Sequence, residues 1–448
     1  MRGLIFVVAL MLVVAGCTAA VPGVARPQPT EPSRQWAATG SQYNGLGVWI
    51  YSDELVVATD ESVTAYDRAS GSVRWARRPP AGAKVAFCGA STSVADGVVS
   101  LGYGAEGDNG AEITCDHVTV LDLGTGKLGW TARIPDDAEV KEQMGLGDRG
   151  LLTEVVGTTV VVGWAGVVAG YDISSGARKY HELIDPTGDF SPFDVRDITV
   201  VGPTAYFLVD SVVPLGAGQT PIAAFTADAA TGREKVRANI DTTSYGFAEP
   251  HAGAFVSTAP LTALVYDGAG ANDARYLVFN SVLGVTATVD TGSQLDANSD
   301  PVPASLEAGS FTIGANPRSH QLYRTLVTHG TLYSVTLMEA GNQLVAYDIR
   351  AGTRRWSATL PNTIMMQPVA TDGSALAVAA IGMAVDAPVR LVRVDLDTGR
   401  VLSDTAGRLP VDHPGAEHFW FVRADNRLYA VEWDRPDLVR QTAAFAIG

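Results

Sequence analysis

An alternating apolar stretch, Leu344-Val345-Ala346-Tyr347, runs into Asp348; Gly352 follows four residues later and Trp356 four beyond that. Few backbones accommodate this combination. A carboxylate at the end of a strand accepts hydrogen bonds from backbone N–H groups just after it, and a Gly takes the left-handed conformation that closes a hairpin. The apolar flanks then lie on neighbouring antiparallel strands. Trp356 is too large to leave in water and must pack on something beyond its own hairpin.

The same pair recurs at Asp67/Gly71, Asp122/Gly126, Asp172/Gly176, Asp228/Gly232 and Asp395/Gly399, with Asn280/Gly284 as a degenerate copy. The aromatic recurs as Trp75, Trp130 and Tyr180; Val236, Thr288 and Ser403 take its place elsewhere. Successive copies fall roughly 50 residues apart, a period that predicts a propeller or solenoid. Between them lie short branched or aromatic runs such as Thr159-Val160-Val161-Val162 and Leu332-Tyr333-Ser334-Val335. Each period therefore holds four strands, the content of one propeller blade. The last residues, 442–448, look like the strand that leads into the Asp, and Arg34-Gln35-Trp36-Ala37 looks like the strand that follows the Gly. An N-terminal strand completing the last blade makes eight blades and removes the open sheet edges that invite aggregation.

Ahead of this ring, Arg2 precedes an apolar run over 4–15. That run is shorter than the roughly 20 residues of a membrane-spanning helix and reads as a signal peptide, 1–16. Val14-Ala15-Gly16-Cys17 resembles a lipobox, which makes Cys17 the acylated N-terminus of the exported protein. Two acyl chains hold a protein durably on a membrane. Residues 17–33, with Pro22, Pro27, Pro29 and Pro32, form an extended tether, and 34–448 form the propeller. Of the three cysteines, Cys88 and Cys115 remain as an even pair in an oxidising compartment and sit on candidate strands 85–88 and 113–120, which favours a disulfide over two buried thiols.

The run Ala65-Tyr66-Asp67-Arg68-Ala69-Ser70-Gly71-Ser72-Val73-Arg74-Trp75, with its repeats, resembles the PQQ-like (pyrroloquinoline-quinone-type) β-propeller repeat, whose rings commonly have eight blades docked through Trp. The resemblance covers residues 35–448. Together with the lipobox it is similar in architecture to the propeller lipoprotein of the outer-membrane barrel assembly machine. Related quinoprotein dehydrogenases hold their cofactor between a Trp and a disulfide of adjacent cysteines, beside a calcium ion. This chain has neither adjacent cysteines nor a Cys-x-x-Cys-His haem motif. The likeness therefore implies the fold and no cofactor.

Other motifs carry little chemistry. Gly-x-Gly-x-x-Gly occurs at 102–107 and 145–150, without the following helix that a dinucleotide needs, so both read as inter-strand loops. Asp296, Asn298, Asp300 and Glu307 match a calcium-loop spacing, but Pro301 stands where that loop needs Gly, so no metal is expected. The seven His are scattered and no catalytic elbow or zinc motif occurs. Formal charge is −16, with 48 acids against 32 bases; nucleic acid, which needs a basic footprint, is excluded as a partner. What remains is recognition through inter-strand loops, the longest read at 134–150, 183–197, 245–254 and 290–321. The expectation is a monomeric, non-enzymatic lipoprotein on the extracytoplasmic face of the cell membrane that binds an envelope protein. A small-molecule sensor or quinoprotein-type enzyme using the central channel is the alternative.

Overall fold

A computed structural model describes residues 34–39, 45–80, 85–106, 113–134, 151–164, 166–184, 193–211, 222–242, 245, 247, 250–267, 273–293, 325–336, 343–360, 363–382, 389–407, 419–424, 427–432 and 443–447. These residues form 32 strands, β1 to β32. Seven sheets are each built from four consecutive antiparallel strands. The first holds β2 to β5 (Gly45–Tyr51, Glu54–Thr59, Val63–Asp67, Val73–Arg77) and the second β6 to β9 (Val85–Ala90, Val98–Glu106, Ile113–Asp122, Lys127–Arg133). The third holds β10 to β13 (Leu152–Val156, Thr159–Trp164, Val167–Asp172, Arg178–Leu183) and the fourth β14 to β17 (Phe193–Val201, Thr204–Ser211, Ile222–Asp228, Glu234–Ile240). The fifth is β18 to β21 (Pro250–Thr258, Leu261–Asp267, Asp273–Phe279, Val285–Ser293) and the sixth β22 to β25 (Thr325–Thr328, Thr331–Thr336, Gln343–Asp348, Thr353–Thr359). The seventh is β26 to β29 (Thr363–Thr371, Ala375–Gly382, Val389–Asp395, Val401–Gly407). A further sheet joins both ends of the chain in the order β1-β32-β31-β30, from Arg34–Thr39, Ala443–Ile447, Arg427–Glu432 and Phe419–Ala424.

The core lies between sheets. Each apolar cluster draws on two successive sheets, as where Tyr333, Leu344 and Trp356 of the sixth meet Leu376, Val378 and Val392 of the seventh. Central strands are buried on both faces, so they read as near-continuous apolar runs: β11 is buried at all six positions and β3 likewise. Outer strands alternate, as in β9.

Strand direction gives every sheet two unlike ends. First-to-second strand connections and the Asp-x-x-x-Gly turns share one end, the turn face; its passages are short, as from Val156 to Thr159 or Val201 to Thr204. Second-to-third connections and the passages between sheets share the other, the loop face, where the chain runs from Ser211 to Ile222, Leu183 to Phe193 and Ser293 to Thr325.

Three readings of the sequence need correction. The stretches 183–197, 245–254 and 290–321 are loops only in part, because β14 starts at Phe193, β18 at Pro250, and β21 runs to Ser293. Buried carboxylates disguised β14: Asp194 and Asp197 break its apolar pattern, yet Asp197 accepts the Phe255 N–H across the sheet boundary at 2.8 Å. Gly102 and Gly104 are not in a loop but inside β7, and a Cβ at Gly102 would meet the Leu151 side chain at 2.7 Å. In the degenerate turn the left-handed residue is Leu283 (φ 58°), not Gly284, because the turn closes one residue early with Asn280 N–H donating to Gly284 O. Cys17, the stretch 145–150 and the Asp296 to Glu307 segment lie outside the described residues.

Candidate functional site

The repeat residues build the frame. In all six regular copies the Gly N–H donates to the Asp carbonyl, at 2.8 Å for Gly352 to Asp348 and 3.0 Å for Gly399 to Asp395, with φ between 65° and 73° at the six glycines. Asp348 Oδ1 accepts from the N–H groups of Arg350 and Ala351, both at 3.0 Å. Where Ser or Thr precedes the Gly, its hydroxyl donates to the same oxygen, as Thr398 does to Asp395 at 2.7 Å. The second oxygen meets a base seven residues later in four copies: Arg74 on Asp67, Lys179 on Asp172 (3.4 Å), Lys235 on Asp228 (3.2 Å) and Arg355 on Asp348 (2.6 Å). That base at a fixed offset is visible in the sequence and extends the repeat signature. The Arg355 guanidinium, then the Ala351 N–H, hold the Asp348 carboxyl at about 2, and hydrogen bonds from Ser174 and Ser175 hold Asp172 well below the usual range.

The aromatics dock one sheet on the next. A Cβ at Gly126 would lie 2.4 Å from the Trp75 ring, one at Gly176 2.6 Å from Trp130, one at Gly232 2.4 Å from Tyr180 and one at Gly399 2.6 Å from Trp356. Each aromatic therefore lies flat on the turn glycine of the following sheet, where only hydrogen leaves room. Two indoles add a hydrogen bond to the residue after the next signature Asp: Trp130 to Ile173 O at 2.7 Å and Trp356 to Leu396 O at 2.8 Å. Between the fourth and fifth sheets the arrangement inverts. Val236 replaces the aromatic, while Leu283, 1% exposed, stands at the left-handed turn position and joins the same cluster.

Cys88 and Cys115 form a disulfide with Cα atoms 6.1 Å apart, linking β6 to β8 across β7. The register shifts between Phe87 and Gly89, and between Tyr103 and Ala105, bring them together.

Among the described residues three places are open to recognition, one of them a turn-face cavity of about 720 Å³ lined by Ala259, Pro260, His329, Asp348, Arg350 and Arg355. Near the axis, a cavity of about 450 Å³ is lined from four sheets, including Thr92, Ser93, Asp197, Phe255, Ser257 and Leu326. Its wall is backed by the fully buried Glu154, which accepts from Thr92 Oγ1 at 2.6 Å, Thr92 N–H at 3.3 Å, Ser93 N–H at 2.8 Å and the Ser93 hydroxyl. On the loop face, the buried Asp210 faces His251 Nδ1 at 3.1 Å and Arg196 Nε at 3.5 Å, and Asp194 meets Arg196 at 3.3 Å. Both bases keep about a third of their surface exposed, with side-chain exposures of 31% and 36%. On the same face the Arg275 guanidinium lies over Tyr245 and Phe247 at 5.7 and 5.5 Å.

The model of the family described as outer membrane protein assembly factor BamB matches residues 36–189 and 277–431, more than half of the chain. The chain belongs to this family of PQQ-like propeller-repeat proteins. BamB from Moraxella catarrhalis superimposes at TM-score 0.52 and 13% identity, covering 92% of this chain and 98% of that one. A europium-containing methanol dehydrogenase does so at 0.55 and 13%, with 93% of each chain covered. The quinohemoprotein alcohol dehydrogenase from Comamonas testosteroni does so at 0.52 and 13%, with 92% and 76% covered. No curated protein matches the chain by sequence. These likenesses establish the fold, which serves both kinds of protein.

The described lining of the axial cavity does not fit the quinone of the dehydrogenases. That cofactor is a tricarboxylate and needs cationic partners, whereas the described lining of the axial cavity carries Asp197 and no base. The disulfide joins non-adjacent cysteines that are each 2% exposed, so it offers no platform for a ring.

Proposed function

We propose that this BamB-family chain is a lipid-anchored, non-enzymatic envelope protein whose sheets close into an eight-bladed propeller and whose loop face recruits a protein partner. Closure is supported by β1 pairing with β32, Trp36 opposite Ala446, and by Arg68 of the first sheet donating to the Tyr429 hydroxyl at 3.1 Å. Anchoring is supported by the Val14-Ala15-Gly16-Cys17 lipobox behind the apolar run. The single observation that carries the recognition role is the inequality of the two faces. Short hydrogen-bonded turns make up one, while the other is where the longer connections start and end and carries Arg196, His251 and the Arg275-Tyr245-Phe247 stack. Loops on a rigid scaffold are where binding residues concentrate, and Arg and aromatic side chains are the usual anchors of protein interfaces.

The test is cross-linking and capture from native membranes with the wild-type chain, Cys17→Ala and Arg196→Ala/His251→Ala. One envelope protein should be retained by the wild type and depleted by the double variant. Equal capture by all three overturns the reading. The axial cavity supports a second one, a sensor for a small neutral polyol, which native mass spectrometry would reveal as a bound mass lost in Asp197→Ala.

A further inference from the structure

The described residues include seven exposed large apolar side chains, Val73, Val94, Val201, Val282, Val285, Val401 and Leu402, between 39% and 61% exposed. All seven lie on the turn face. Val73, Val285, Val401 and Leu402 open outer strands just past a signature turn, Val282 lies within such a turn, and Val94 and Val201 lie at first-to-second strand turns. Apolar side chains on a soluble surface are ordinarily scattered, so the gathering of these seven described ones at one end of their sheets asks for a cover.

The chain itself indicates the cover. β1 is antiparallel to β32, with Arg34 opposite Ile447 and Thr39 opposite Ala443, so Arg34 lies at the turn-face end of its sheet. Residues 1–33, including Cys17 and the tether, therefore join the propeller at this face and not at the loop face. Charge agrees. The chain carries −16, but on this face four signature aspartates are ion-paired to the base seven residues on. Lys127, Arg178, Arg233, Arg350, Arg354 and Arg400 stand exposed around its rim, with Asp53, Asp96, Asp122, Glu234 and Asp397 among them. This end is close to neutral, and the acidic excess lies elsewhere. An anionic headgroup layer would repel the rest of the molecule and admit this face.

We propose that the turn face rests on the bilayer that holds the acylated Cys17, with the rim valines and Leu402 at the headgroup boundary, so that the loop face points away from the membrane. The inference rests on the anchoring reading above. A tether makes the contact intramolecular, at an effective concentration on the order of millimolar, so a few shallow apolar side chains suffice.

The experiment uses acylated full-length protein on phosphatidylethanolamine/phosphatidylglycerol vesicles, with a fluorophore on Leu402→Cys or Val282→Cys, or on Glu182→Cys at the loop-face end of β13. A lipid-borne quencher should act at least about threefold more strongly on the two turn-face labels than on position 182, given burial of roughly 5–10 Å for an interfacial apolar face. Equal quenching, or stronger quenching at 182, overturns the orientation. Flotation separates the two readings: wild type floating where Cys17→Ala does not, with equal quenching, sinks the orientation alone. Wild type that fails to float sinks both.

Discussion

Replacing Trp356 by Ala tests the docking device directly. The ring is 8% exposed, pairs with Tyr333 at 5.9 Å and lies on Gly399, and its N–H donates to Leu396 O. Truncating a buried Trp to Ala costs about 3–5 kcal/mol through lost transfer energy and the cavity left behind. The orphaned Leu396 carbonyl adds to that loss, so the upper half of the range is expected. Gly399→Ala attacks the same contact from the other side. Its φ of 70° alone costs an L-residue about 1–2 kcal/mol, and the new Cβ would overlap the ring at 2.6 Å. The two changes should therefore be non-additive. With Trp356 already gone, Gly399→Ala should cost only its backbone share, a coupling on the order of 1–2 kcal/mol. Urea unfolding followed by circular dichroism on the wild type, both single variants and the double variant measures all four corners. A loss below about 1 kcal/mol for Trp356→Ala, or strict additivity, refutes the idea that the aromatic of one sheet is seated on the glycine of the next.

Glu154→Ala leaves the four Thr92 and Ser93 donors without their acceptor and should cost about 3 kcal/mol in the same assay; Glu154→Gln should cost less. Cys88→Ala/Cys115→Ala opens a loop with a sequence separation of 27 and should lower stability by about 3–4 kcal/mol on loop-closure grounds, while reducing agent should not affect the variant. Acid sensitivity follows from the signature carboxylates. Asp348 sits at about 2 in the fold against roughly 3.9 in an unfolded chain, so its contribution is complete above pH 4 and disappears as pH falls toward 2. Thermal melts should therefore fall over that window, with a shallower fall in Asp348→Asn; identical slopes would show that this aspartate contributes nothing.

Much of the frame was legible because its cause is local. An Asp that caps its own turn, a Gly that must be left-handed and an aromatic four residues on are properties of a dozen consecutive residues. β14 was not legible: Asp194 and Asp197 look like loop residues until the β18 backbone supplies a partner from 58 positions away. The degenerate turn was misread for the same reason. Asn280 and Gly284 keep the usual spacing, but the turn closes one residue early and Leu283 packs in the cluster that includes Val236 of the sheet before. The loop-face bases were silent in the sequence too, since Arg196, Asp210 and His251 belong to three different strands.

The amino-acid order by itself determined the unit and its approximate number, because both are written in neighbouring residues whose interactions need no long-range partner. Only the tertiary structure decided which end of each sheet is closed and which is open, which face the N-terminal segment joins, and where buried carboxylates find their donors. Those outcomes depend on strand direction and on contacts between residues tens to hundreds of positions apart, which no local pattern encodes.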